Sequence, residues 1–460
     1  VPHMQKKGEK TMKREEWKRS YKRICCLLAA IGAGTALCGC SPGNGTQAVR
    51  RLEEVRFPAE PVYKSDEERW EAERNQSLPE AFLAAYSDFS YGTAAELLKD
   101  KKENTAYSPL GLYYALAAAA QGAEGKTEEE FLSLLGYDSV QELAKDCKSS
   151  FEILYHVPNK KNRTGAGEEP HTSSLYSLQI ANSLWADDSL PLKEAFAGRL
   201  SEYFYTDVFQ GDLQSGEAGE AMAGWVKERT GGLIQPEPAP LPENVQLSLR
   251  NTIYFYDQWQ DRFSPEATEE DVFYTDDGQE IICDFMNREN GSAGFRKGEN
   301  FTASELALKN GAMVFVLPDE NVGVQELVQS AETLREALSG TNGQSVGEVV
   351  WKVPKFSYGY KAEGMKEMLQ TLGLNEAFGE SADFSGISDQ KPLGLSDVAQ
   401  EVHIGIDENG VEAAAFTEIL WAGAALPQGR AEMILNRPFL YAVKNKGQIL
   451  FVGICQDPVP

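Results

Sequence analysis

The chain has 460 residues, of which 42% are hydrophobic, so it is long enough to bury one large core or two modest ones. Its 44 Lys and Arg residues stand against 70 Asp and Glu residues, which leaves a formal net charge of −26 at pH 7. This acidic balance argues against nucleic acid as a partner, because phosphate binding needs clustered cations.

The N-terminal region has the layout of a secretory signal. Residues 6–23 are strongly basic, and residues 24–39 carry no charge and are too few to span a bilayer as a permanent anchor. The run 37–40 (LCGC) then resembles a bacterial lipobox, in which cleavage leaves a lipid-carrying cysteine at the new N-terminus. We therefore expect a lipoprotein-type signal peptide over 1–39 and an extracellular or cell-surface protein that is lipid-anchored at Cys40. The alternative is an ordinary signal peptide that is cut elsewhere.

Residues 40–75 are polar and rich in Gly and Pro, which is typical of a flexible tether. No later stretch has the composition of a second linker, so residues 76–460 are predicted to form one domain. This region has three widely spaced cysteines, Cys147, Cys283 and Cys455, which fit neither a disulfide framework nor a zinc site. We expect three buried thiols, no metal and no cofactor.

Helical spacing and capping residues dominate the first half of the domain. Ser108 and Pro109 form a cap and first-turn pair ahead of an alanine-rich segment, which predicts a buried helix from Leu110 to Gln121. Further helices are predicted over 94–101, from 127 onward, over 192–204, over 219–230 and over 361–372.

Strand signals dominate the second half. Apolar or alternating runs with β-branched and aromatic residues predict strands over 246–256, 311–317, 348–356, 398–407 and 448–454. Helices early in the chain and antiparallel-type strands late in the chain predict a single α+β domain.

One motif is typical of an enzyme. Residues 343–347 fit G-x-S-x-G, and Asp383 or Asp397 followed by His403 gives the chain order of an α/β-hydrolase triad. That motif requires a strand before the serine and a helix after it, whereas here a helix precedes the serine and a strand follows it. We therefore predict no catalytic residues, and His403 is interpreted as a surface or core imidazole.

Seven blocks, in order, resemble the signatures of the serpin family of serine protease inhibitors. They are 104–112 (NTAYSPLGL) with its continuation 122–127 (GAEGKT), 180–185 (IANSLW), 225–234 (WVKERTGGLI), 251–259 (NTIYFYDQW), 353–356 (VPKF), 382–387 (ADFSGI) and 436–440 (NRPFL). The resemblance covers about residues 85–460. It implies the serpin fold, with helices packed on a large mixed or antiparallel central β-sheet, smaller sheets and an exposed reactive-centre loop, here about residues 408–435.

The family's hinge has the form E-x-G-x-E-A-A-A, and residues 408–415 read ENGVEAAA. By resemblance, a protease cuts the loop that follows, and the hinge inserts into the central sheet as a new strand while the protease is still acylated. The implied hinge residues are Glu408, Gly410, Val411, Glu412, Ala413, Ala414, Ala415 and Thr417.

An inserted strand must present alternate residues to the core. One alternating set carries no charge and is expected to face the core: Val411, Ala413, Ala415, Thr417, Ile419 and Trp421. Both glutamates, Glu412 and Glu418, belong to the other set, which is expected to face outward. Phe416 is also in this outer set and departs from the small residues that the family prefers.

Family spacing from Gly410 implies that the bond between Ala424 and Ala425 is cut. Counting back from Arg437 gives a different bond, because this loop is longer after the cut; we prefer the hinge count, since strand insertion sets that length. Small residues before the bond suit a small specificity pocket. The implied partner is an elastase-like or subtilisin-like serine protease in covalent complex with a monomeric inhibitor.

Other family positions match unevenly. Trp259 corresponds to a tryptophan beneath the point of loop insertion, and Asn251 and Ser108 correspond to a polar cluster under the opening sheet. Gly111 stands where serine is usual, and Gln400 where histidine is usual. These departures and the bulky hinge side chains leave open a non-inhibitory serpin-fold binding protein as the alternative to a suicide inhibitor.

Overall fold

In a computed structural model, the described residues are 49–53, 55–58, 65, 67–68, 71–72, 76–156, 177–230, 232, 234–243, 245–339, 345–395, 398, 400–411 and 429–459. All of them belong to one compact unit of the chain. Within these ranges, no helix is both long enough and apolar enough to cross a membrane.

Eight α-helices are found in the described part of the chain. They are α1 (Glu80–Leu98), α2 (Pro109–Ala120), α3 (Gly125–Leu135), α4 (Val140–Leu154), α5 (Glu194–Phe204), α6 (Gly216–Arg229), α7 (Ala331–Leu338) and α8 (Met365–Thr371). The predicted cap of α2 is confirmed, since the Ser108 side chain accepts a hydrogen bond from the Gly111 N–H and Pro109 is the first helical residue.

Sixteen strands are found in the same ranges. They are β1 (Val49–Glu53), β2 (Thr105–Tyr107), β3 (Ser177–Asp187), β4 (Thr206–Gly211), β5 (Leu247–Gln258), β6 (Thr268–Tyr274), β7 (Glu280–Lys297), β8 (Phe301–Ala307), β9 (Gly311–Pro318), β10 (Ser345–Pro354), β11 (Phe356–Ala362), β12 (Gln400–Ile406), β13 (Gly410–Val411), β14 (Arg430–Ile434), β15 (Phe439–Asn445) and β16 (Gln448–Cys455).

The strands form two sheets. The seven-stranded one, called the central sheet below, has the order β1-β4-β3-β5-β13-β12-β11, and its neighbours are antiparallel except for the parallel pair β3 and β4. The second sheet has the order β14-β10-β7-β8-β9-β15-β16-β2, and β6 pairs with β7. The α+β class with a large mixed central sheet is therefore confirmed.

Two hydrophobic clusters lie on opposite faces of the central sheet. The main core contains Phe255 and Ile404, which point inward from β5 and β12. A smaller cluster, called the α6 cluster below, packs helix α6 against Trp185 of β3 and also includes Trp225 and Met222. This arrangement assigns an inner and an outer face to every strand of the central sheet.

Several predicted bounds are wrong because tertiary pairing overrides local pattern. The strand predicted over 348–356 is two strands, β10 and β11, that belong to different sheets and are separated by Lys355. The helix predicted over 361–372 begins only at Met365, since Lys361 and Ala362 still pair with β12. The first half also contains β1 to β4 and is less helical than predicted.

The tether predicted for residues 40–75 is corrected over 49–53. These residues form β1, which adds to the edge of the central sheet beside β4. Arg51 of this strand forms an ion pair with Asp207, whose side chain is fully buried and also binds Arg229. The signal peptide predicted over 1–39 and the lipid-anchored cysteine predicted at Cys40 lie outside the described residues.

The three cysteines of the domain are free and buried, as predicted. Burial raises the pKa of the Cys147 and Cys455 thiols well above the usual value and that of Cys283 to about 12. A thiol in that state is unreactive, so these cysteines act as small core residues.

Candidate functional site

Two residues of the hinge, Gly410 and Val411, already belong to the central sheet. Strand β13 lies between β5 and β12, with Gly410 opposite Gln258 and Val411 opposite both Asp257 and Ile406. Val411 is 2% exposed. Beyond β13 no ladder joins β5 to β12 within the described residues. The hinge therefore starts a strand that has room to continue only if β5 and β12 separate.

Glycine is the one residue type that fits position 410, at the start of this strand. A Cβ atom there would lie 2.4 Å from the Asp257 carbonyl oxygen and 2.6 Å from the Gln258 Cα atom. Both contacts are with backbone, which has no side-chain rotation to relieve them. The glycine of the hinge motif is therefore required by the close approach of β5.

Trp259 holds the turn over 407–410, at the start of the hinge. Its indole Nε1 donates to the Asp407 carbonyl at 2.8 Å, and its backbone N–H donates to the Asn409 carbonyl at 3.0 Å. The ring is fully buried and makes an edge contact with Phe263. The predicted site residue Trp259 thus lies directly against the hinge.

Glu408 anchors the same turn from the other side. Its carboxylate accepts hydrogen bonds from Lys355 Nζ at 3.0 Å and from Thr268 Oγ1 at 2.9 Å. Burial by itself raises the pKa of Glu408, but hydrogen bonds from its own backbone and from Lys355 outweigh burial and lower it. A charged Glu408 therefore holds the start of the loop against the body of the protein.

A second buried carboxyl, Asp257, lies opposite Val411. The backbone N–H groups of Asn310 and Gln258 donate to it at 2.8 and 3.0 Å. Burial nevertheless raises the pKa of Asp257 to about 7. Its charge therefore changes near neutral pH at the point where the hinge enters the sheet.

The polar cluster predicted under the sheet has a different arrangement from the family pattern. Gln400 of β12 forms two hydrogen bonds with the backbone of Ser108, accepting from its N–H at 2.8 Å and donating to its carbonyl at 3.0 Å. Asn251 of β5 donates to Asn182 of β3 at 2.8 Å. A Cβ atom on Gly111 would meet the ends of the Asn251 and Gln400 side chains, so a serine there would require both amides to move.

The site residues predicted from the sequence thus lie in two places. Glu408, Gly410, Val411 and Trp259 meet at one end of the central sheet, and Ser108 and Asn251 lie beneath its middle. The remaining hinge residues lie outside the described residues, as do both residues of the implied scissile bond: Glu412, Ala413, Ala414, Ala415, Thr417, Ala424 and Ala425.

Sequence reasoning missed the partners that hold the hinge. Lys355 stands inside the block 353–356 already quoted for the resemblance, so its position could have been noticed. Asp257 likewise stands inside the quoted block 251–259, whereas Thr268 carried no local signal, because its contact with Glu408 depends on strands that meet only in the folded protein.

Among the described residues, the members of the hydrolase-type motif share no hydrogen bond with one another, and Asp397 lies outside those residues. Ser345 is the first residue of β10, and Asp383 accepts hydrogen bonds from the Ser385 N–H and from Lys391. The His403 ring lies 3.2 Å from the Ser357 hydroxyl instead, and burial lowers its pKa. These residues therefore carry structural contacts.

Comparisons with known proteins agree with this geometry. Residues 84–458 match the family model described as "Serpin (serine protease inhibitor)". The chain is 28% identical to serpin B3 of Homo sapiens over 392 residues, which cover 81% of this chain and 98% of the relative.

Two solved structures show the same architecture. The thermophilic serpin tengpin in its native state matches with a TM-score of 0.71 and 26% identity, over 89% of this chain and 99% of that chain. Human thyroxine-binding globulin in complex with thyroxine matches with a TM-score of 0.67 and 25% identity, over 82% of this chain and 98% of that chain.

Proposed function

The chain belongs to the serpin family, and we propose that it is a suicide inhibitor of an elastase-like or subtilisin-like serine protease. The observation that carries this proposal is the pairing of Gly410 and Val411 between β5 and β12. A strand that has already begun in the sheet can grow residue by residue once the loop beyond it is cut.

The reaction uses the protease's own chemistry. The protease serine attacks the carbonyl carbon of Ala424, the amine of Ala425 leaves with a proton, and Ala424 stays on the serine as an ester. Insertion of the loop as a strand between β5 and β12 then adds backbone hydrogen bonds on both sides. The ester persists because insertion of the loop deforms the active site of the protease before water hydrolyses the ester.

The target class follows from the residues before the bond. Ala422, Gly423 and Ala424 have small or no side chains, which suit a protease with a small specificity pocket. The chain acts as a monomer and uses no cofactor. The layout of residues 1–40 supports an extracellular or cell-surface location with a lipid on Cys40.

The test mixes the full chain, in slight molar excess, with pancreatic-type elastase. The expected result is a band that resists SDS at the summed mass, together with a released peptide that begins at Ala425. Clean cleavage with fully active elastase, repeated with subtilisin-type and chymotrypsin-type enzymes, would refute the proposal.

A matched pair of variants tests insertion separately from cleavage. Ala413→Glu places a charge on the face expected to enter the core, and Ala414→Glu places the same charge on the outer face. We expect Ala413→Glu to be cut without forming the SDS-resistant band, and Ala414→Glu to keep it. Equal behaviour of the two variants would contradict strand insertion in this register.

A serpin-fold binding protein is the second candidate. The bulky Phe416 and the Gln400–Ser108 arrangement favour it, because both can slow strand insertion. The similarity to thyroxine-binding globulin supports a binding role for this architecture. Under this reading, cleavage of the loop leaves the unfolding temperature unchanged, whereas the inhibitory proposal requires a large rise.

A further inference from the structure

The carboxyl of Asp257 lies beside the hinge and takes no part in cleavage of the loop. The side chain is fully buried on β5. One carboxyl oxygen accepts from the Asn310 backbone N–H at 2.8 Å, and the other accepts from the Asn310 amide at 3.3 Å and from the Gln258 N–H at 3.0 Å. All three donors are uncharged, so none of them balances a negative charge on this carboxyl.

The turn between β8 and β9, which supplies two of these donors, is fixed to β5 and to β15. The Lys309 N–H donates to the Gln258 carbonyl at 3.0 Å. The Asn310 carbonyl accepts from the Asn445 amide of β15 at 2.9 Å. These bonds involve no residue of the hinge, so Asp257 keeps its place when the hinge moves.

Val411 of the hinge covers Asp257 from the other side. The two residues are directly opposite in the ladder between β5 and β13, so their side chains point to the same face with Cβ atoms about 5 Å apart. This is the inner face, because Phe255, two residues earlier on β5, belongs to the main core. An apolar side chain thus keeps water from the hinge side of the carboxyl, which costs more when Asp257 is charged than when it carries a proton.

Charged side chains on the surrounding elements do not cancel this cost. They lie on the segment 259–264, on the turn between β8 and β9, on the turn over 407–410 and on β15: Arg262, Lys309, Asp407, Glu408 and Lys444. Lys309 attracts the charged form of Asp257, whereas Glu408 is paired with Lys355 and Lys444 donates to the Leu338 carbonyl. Burial outweighs the hydrogen bonds and raises the pKa of Asp257 to about 7.

We infer that Asp257 is a proton-sensitive latch for the hinge: the uncharged carboxyl retains Gly410 and Val411 between β5 and β12, and the charged carboxylate favours their withdrawal. Withdrawal takes Val411 away from the carboxyl and lets water reach it. The inference goes beyond the proposed function, because it concerns the uncut protein. It holds for an inhibitor and for a binding protein alike.

The direction of the effect follows from the linkage between hinge position and proton binding. With the hinge in the sheet the pKa of Asp257 is about 7, and hydration on withdrawal moves that pKa toward its ordinary value of 3.8. The ratio of inserted to withdrawn hinge therefore falls as pH rises between these two values, by at most about tenfold per pH unit, and is constant above about pH 7. Because the Asn310 side of the carboxyl stays buried, we expect a change of about three- to tenfold between pH 5 and pH 7.

The experiment measures hydrogen exchange of the Gly410 and Val411 amides in the uncut, full-length protein at about pH 5 and about pH 7, corrected for the pH dependence of chemical exchange. Asp257→Asn keeps the side chain uncharged at both pH values. Val411→Ala keeps the carboxyl and thins its apolar cover. The matched control is Asp261→Asn, which removes an exposed carboxyl four residues further along the chain.

We expect the two hinge amides of the wild type to exchange about three- to tenfold faster at pH 7 than at pH 5. Asp257→Asn should abolish this difference, Val411→Ala should reduce it and Asp261→Asn should retain it. If Asp257 acted on global unfolding alone, amides that exchange through local opening of the hinge would show no difference in the wild type, and the latch would be overturned. A difference that persists in Asp257→Asn would overturn it as well. Should Asp257→Asn not fold, an undiminished difference in Val411→Ala decides against the latch.

Discussion

Replacing Gln400 by alanine tests the link between the central sheet and helix α2. The Gln400 amide satisfies both the N–H and the carbonyl of Ser108, and both residues are buried. The Ser108 carbonyl also accepts the Leu112 N–H, so the substitution leaves only the Ser108 N–H without a hydrogen-bond partner among the described residues. Leaving one buried backbone group without a partner costs about 1–3 kcal/mol, so we expect a loss of about 2 kcal/mol.

This loss converts into a measurable shift in the unfolding temperature. An unfolding entropy of about 2.1 cal/mol/K per residue gives about 0.8 kcal/mol/K for a chain of ~400 residues, so Tm should fall by about 2–3 °C. The assay is thermal unfolding of the uncut protein by calorimetry, with the enthalpy measured in the same scan.

The control for this variant is Gln141→Ala on helix α4. Gln141 is exposed, and among the described residues its side chain accepts a hydrogen bond from Ser139 alone. An exposed glutamine on a helix should change stability by less than about 0.5 kcal/mol. If Gln400→Ala and Gln141→Ala gave the same Tm, the paired hydrogen bonds would not link β12 to helix α2, and the reasoning would be refuted.

Two further predictions concern buried carboxyls. The folded protein keeps a proton on Asp257 up to about pH 7, whereas the unfolded chain releases it near pH 3.8. The free energy of unfolding should therefore fall as pH rises through this window, by about 2 kcal/mol between pH 5 and pH 7. Asp257→Asn should remove this slope in denaturant titrations at several pH values; an unchanged slope would contradict the assignment. Arg51→Ala removes one of two guanidinium partners of the buried Asp207 and should cost about 1–3 kcal/mol. Arg50→Ala removes only one hydrogen bond from an exposed residue to Gln210 and should cost about 1 kcal/mol or less. Equal losses for the two arginine variants would show that β1 contributes through its backbone alone.

Elements with strong local signals were predicted well. The serine cap and first-turn proline of α2 are local features, and so are the runs of apolar, β-branched and aromatic residues in β5, β9 and β16. Elements that depend on a distant partner were missed. Strand β1 forms because it pairs with β4 at the edge of the central sheet, and the sequence of residues 49–53 does not predict that pairing.

The candidate site shows the same division. The hinge motif, its glycine and the alternation of charged and uncharged residues are properties of consecutive residues, so the sequence alone determined them. Gly410 is a clear example, although the reason for it, the Asp257 carbonyl, became visible only in the fold.

Tertiary structure alone decided the partners of the hinge. Lys355 meets Glu408 and Asp257 meets Val411 at the hinge, and Gln400 meets Ser108 beneath the sheet. These contacts join residues 53 to 292 positions apart. The register between distant strands depends on how whole sheets assemble, and the local sequence pattern does not indicate which distant strand will lie alongside.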